Sequence, residues 1–70
     1  MKQNRWELEK EFKRHVAAAI EWSMMDDEYP HIDEVIIQNL ADTYNQPIAY
    51  ARHYILTELE VAIDKYMDSH

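Results

Sequence analysis

The sequence predicts an all-α, three-helix domain, and three observations carry that reading. No glycine occurs in the 70 residues, so the chain lacks the residue that supplies positive φ in tight hairpins and phosphate-cradling loops. Only two prolines occur, Pro30 and Pro47, and they divide the chain into three helix-length pieces. Within each piece, apolar side chains recur at the three- and four-residue spacing of a helix. A single domain over residues 1–70 follows, with helices expected at about residues 5–25, 31–44 and 47–67.

The first helix opens on Asn4 with Glu7 three residues later, the pattern of a capping box. Behind it, Leu8, Phe12, Val16, Ala19 and Ile20 fall on one side of a helical wheel, and Lys10, Lys13, Arg14 and Glu21 fall opposite. The alanines between Val16 and Ile20 admit a close neighbour. Asp26, Asp27 and Glu28 oppose the negative end of the helix dipole, so the chain is expected to leave the helix there.

Pro30 suits the first position of the second helix, with Asp33 and Glu34 favoured in its first turn. Ile32, Val35, Ile36, Leu40 and Tyr44 keep helical spacing, and Asn45 is a left-handed stop, being the usual substitute for Gly there. Pro47 opens the third helix, whose stripe is Ile48, Ile55, Leu59, Ala62, Ile63 and Tyr66, flanked by Ala51 and Leu56. Tyr50, Tyr54 and Val61 lie off that stripe, as Trp6 and Met24 lie off the stripe of the first helix. This surplus predicts a subunit or partner interface formed by Trp6, Tyr50, Tyr54 and Val61, and a helical homodimer.

Size and composition narrow the function. A domain of 70 residues buries about 60% of the surface its unfolded chain exposes, so it gains from assembly. With no Cys, neither a disulfide nor a thiolate metal site supports it. No apolar run approaches a membrane span or the core of a signal peptide, and a cytoplasmic protein away from membranes is expected. The formal net charge is −7, and residues 26–46 hold six acids with no Lys or Arg. Such a middle segment repels phosphate backbones and steers basic protein partners.

In residues 37–56, IQNLADTYNQPIAYARHYIL, Leu40 and Ala41 set an apolar residue beside a small one. Tyr44 is the next core position, Asn45 occupies the tight turn, and Ala51 and Tyr54 recur at buried positions of the following helix. The arrangement resembles the helix-turn-helix of DNA-binding proteins. That resemblance implies DNA contacts from Gln46, Ile48, Arg52 and His53, backed by a basic patch of Lys10, Lys13 and Arg14. The chain departs from the pattern at Gln46, where an apolar residue is usual. Its would-be recognition helix also offers one fixed positive charge at its exposed start.

Arg52 projects within the apolar stripe of the third helix; snorkelling to the rim, display in a groove and an ion pair with Asp33 or Glu34 are the alternatives, and the ion pair is favoured. Glu11 and His15 are four apart, yet two ligands do not make a metal site, and neither metal nor cofactor is expected. Without a Cys nucleophile, a Gly-rich loop or a base beside Ser23 or Ser69, no enzyme is expected. The function expected is that of a small acidic regulator or adaptor, binding protein through helix–helix contacts, of the size common among accessory proteins of phages and mobile elements. A helix-turn-helix transcriptional regulator is the alternative.

Overall fold

The computed structural model describes residues 5–69, with the side chain of Asp27 left aside. Three α-helices follow one another: α1 (Arg5–Ser23), α2 (Glu34–Thr43) and α3 (Ile48–Ser69), with a single 3₁₀ turn at Met25–Asp27. No strand occurs among the described residues. None of the helices is long and apolar enough to cross a membrane. Asn4, the expected cap of the first helix, lies outside the described residues.

The core is a single cluster fed by all three helices. Phe12, Val16 and Ile20 come from α1, Ile37, Leu40 and Ala41 from α2, and Ala51 and Ile55 from α3. These positions follow the three- and four-residue period that places one side of each helix against its neighbours. In α2 the buried positions differ from the expected stripe. Val35 is 68% exposed and Ile36 is also exposed, while Ile37 and Ala41 are buried. A run of three consecutive β-branched residues fits more than one helical face, and the i, i+3, i+4, i+7 spacing of Ile37, Leu40, Ala41 and Tyr44 selects the one that is buried.

That start is itself a correction. Helix α2 begins at Glu34, three residues later than expected, and residues 28–33 precede it without regular structure. Pro30 is fully buried and wedges the connector against the bundle instead of opening the helix. The Ser23 hydroxyl donates to the Ile20 carbonyl at 2.7 Å and accepts the His31 N–H at 3.2 Å, which holds the connector extended at the end of α1. Asp33, with φ −76° and ψ 154°, then occupies the cap position, and its carbonyl receives the N–H groups of Ile36 and Ile37. Upstream, Asp26 adopts φ 63°, a left-handed conformation that Asp tolerates better than most residues and that turns the chain out of α1.

The α2–α3 turn follows the sequence reading closely. Asn45 has φ 52°; its N–H bonds the Asp42 carbonyl, and the Gln46 N–H bonds the Ala41 carbonyl at 2.8 Å. This pair of bonds is a Schellman motif closed by asparagine in place of glycine. Pro47 stands one residue before α3, where its carbonyl accepts the Ala51 N–H at 2.9 Å.

Helix α2 returns along α1, bringing Tyr44 to Phe12 and His15. Helix α3 runs in the same direction as α1. Phe12 meets Tyr50 and Tyr54 near the start of α3, and Met24 shares a groove with Lys65 near its end. With 10 residues α2 is less than half as long as α3, with 22, so the far part of α3 extends beyond it. There the connector supplies cover, with Tyr29 edge-on to Tyr66 at 5.4 Å.

Candidate protein-interaction face

One side of the molecule is formed by α1 and α3 without cover from α2. At its upper end Trp6 stands 68% exposed, one turn before Lys10, whose ammonium lies 5.2 Å from the indole centroid. Lys13 follows, 5.5 Å from the ring of Tyr54 and 3.5 Å from the Glu9 carboxylate. Lower down, the two helices enclose a groove of about 330 Å³ lined by Ala17, Ile20 and Met24 on one wall and Val61 and Ala62 on the other. Glu21, Glu58 and Lys65 form its charged rim.

The four residues expected to form an interface all lie on this side, in two different conditions. Trp6 and Val61, the latter 47% exposed, are available to a partner. Tyr50 and Tyr54 are half-buried and packed against the core, so part of each ring faces inward. Their rings lie 6.2 and 5.7 Å from Phe12 and 6.4 Å from each other, so they roof the core where α1 leans on that flank of α3. The Tyr54 hydroxyl donates to Glu58 at 3.0 Å. Burial, reinforced by the neighbouring Glu58 carboxylate, pushes the Tyr54 phenol up to about 12.

The residues of the DNA-contact alternative are divided between opposite flanks of α3. Lys10 and Lys13, expected opposite the apolar side of α1, instead lie over aromatic rings at its edge, on the α1 side. Arg14 pairs with Glu11 at 3.6 Å. Arg52 reaches to the α2 side, where its guanidinium bonds the Glu34 carboxylate. That bond holds the Glu34 carboxyl below the usual carboxylate range, against a smaller opposing effect of desolvation. The Gln46 amide is engaged by the Tyr44 carbonyl at 3.0 Å. Ile48 and His53 are exposed, and the His53 carbonyl accepts the Thr57 hydroxyl.

His15 and Glu11 serve separate partners: the His15 Nδ1 lies 3.0 Å from the Tyr44 hydroxyl, while Glu11 takes Arg14. No group of three or more His, Cys, Asp or Glu side chains converges among the described residues.

Several exposed apolar side chains escaped the sequence reading. Trp22 is 71% exposed, and Leu56 and Met67 are exposed on α3. Trp22 was legible in principle, since it falls two residues after Ile20 and off the buried stripe. Val35 was legible too, since it lies off the stripe that Ile37, Leu40, Ala41 and Tyr44 form at i, i+3, i+4 and i+7. No known protein family, curated protein or solved structure matches this chain.

Proposed function

We propose that this chain is a small acidic protein-binding module that assembles as a homodimer and acts through helix–helix contacts on its α1–α3 side. The observation that supports this most is the pairing of an exposed indole, Trp6, with an open apolar groove on the same side. A protruding aromatic anchor on the same side as a groove of small and aliphatic side chains is the composition of a protein interface, where a few such residues carry most of the binding energy. The acids at the groove rim and in the connector add long-range attraction for a basic partner. The cations that a nucleic-acid surface requires are distributed on two flanks, and three of the four are engaged by carboxylates.

Affinity capture from the host, with the wild type, Trp6→Ala and Val61→Asp as baits, tests the reading. A protein retained by the wild type and lost from both variants is the expected result. Retention by all three baits would count against this face. A salt-sensitive shift of random DNA fragments by the purified chain would transfer the assignment to nucleic acid.

A further inference from the structure

Resting on the protein-binding reading, and naming the occupant of that face, we infer that the α1–α3 groove receives α1 of a second copy, running antiparallel across a two-fold axis. The stripe of α1 bordering the face is Trp6, Lys10, Lys13, Ala17, Ile20 and Met24. Its spacings are four, three, four, three and four, which read the same in both directions. An antiparallel copy centred between Lys13 and Ala17 therefore sets Trp6 against the partner subunit's Met24, and Lys13 against the partner subunit's Ala17. A large side chain meets a small one at the centre, and the indole reaches the end of the opposite groove. An isologous contact of this kind closes on itself and forms each pairing twice.

Charge supports the same orientation. Lys10 and Glu21 border the face, and neither has an ion-pair partner among the described residues. In the antiparallel register Lys10 lies beside the partner subunit's Glu21, so both charges are matched at both ends of the interface. The wider charge distribution agrees. Residues 21–33 and 58–68 together hold nine acids against Lys65 alone, a balance of −8, and the rest of the sequence carries +1. A parallel pair would superpose the two acidic halves, whereas the antiparallel pair separates them and brings Lys10 and Lys13 to the partner's acidic half.

Sedimentation equilibrium of the wild type, Lys10→Glu, Glu21→Lys and the double exchange decides the matter. The wild type is expected to dimerise, each single reversal to weaken the dimer roughly tenfold or more, and the double exchange to recover most of the loss. A wild type that stays monomeric, single reversals without effect, or a double exchange weaker than either single variant would each overturn the inference. Should a charge variant fail to fold, oxidation of mixed Lys13→Cys and Ala17→Cys chains takes its place, since the natural sequence has no cysteine. The mixed disulfide is expected to form in preference to either self-disulfide, and equal or absent cross-linking would refute the register. A monomeric wild type that still captures a host protein through Trp6 overturns this geometry and the homodimer, and leaves the protein-binding reading standing. Loss of both activities removes the protein-binding reading as well.

Discussion

Phe12 is the residue on which the interior depends most. It is wholly buried, and the rings of Tyr44, Tyr50 and Tyr54 close around it within 6.3 Å. Replacing it with Ala removes the shared contact of all three helices and is expected to cost about 3–5 kcal/mol, read as a lower urea midpoint. A change below about 1 kcal/mol would contradict this packing. Tyr54 gives a second test at this scale. Its phenol is raised from 10.0 to about 12, so the neutral form favours the fold. This contribution is fully present below pH 10, and it is lost as the pH rises through the window from 10 to 12. Ultraviolet titration of the tyrosines is expected to show a late ionisation in the wild type that Tyr54→Phe abolishes; superimposable curves would contradict the assignment. The Arg52 pairing was legible in the sequence, because Glu34 was one of two carboxylates named as its partner, and the pair forms at the exposed rim of the stripe. The roofing role of the tyrosines was not legible. It depends on which flank of α3 receives α1, and no periodicity within α3 encodes that choice.

At the scale of the elements, local chemistry and tertiary packing divide the credit. The turn between α2 and α3 was readable because Asn45 is one of the few residues that accept a left-handed conformation at low cost. Asn45→Ala is expected to destabilise the chain by about 1 kcal/mol, and Asn45→Gly to be neutral or mildly stabilising, as judged from urea midpoints. If Ala and Gly behave alike there, the Schellman geometry is not what limits that position. Pro30 misled for a related reason. The sequence permits it at the first position of a helix, but the Ser23 hydroxyl captures the His31 N–H, and burial of the ring stabilises the extended connector instead. A serine hydroxyl eight residues upstream gives no signal in a window that looks only for helix starts.

For the whole molecule, the size of the core and the exposed face lead to one argument. Among the described residues eight hydrophobic side chains form the buried core, the chain has no cysteine for a disulfide, and a chain of this length ordinarily has little stability to spare. An assembly that buries Trp6 and Val61 would add to that margin, and any association restricted to the folded state makes the melting temperature depend on protein concentration. The wild type is therefore expected to melt at a higher temperature as its concentration rises, with the acidic halves held apart at opposite ends of the pair. Val61→Asp should abolish the concentration dependence. Because Val61 lies on the groove wall and outside the core, the change should shift stability in dilute solution by no more than about 0.5 kcal/mol. A melting temperature independent of concentration in the wild type would overturn the self-association. Val35, Leu56 and Met67, exposed on α2 and α3, remain open to a partner whichever molecule fills the groove. A Val61→Asp chain that lost its concentration dependence yet kept the captured host protein would place self-association and recognition on different faces of this small bundle.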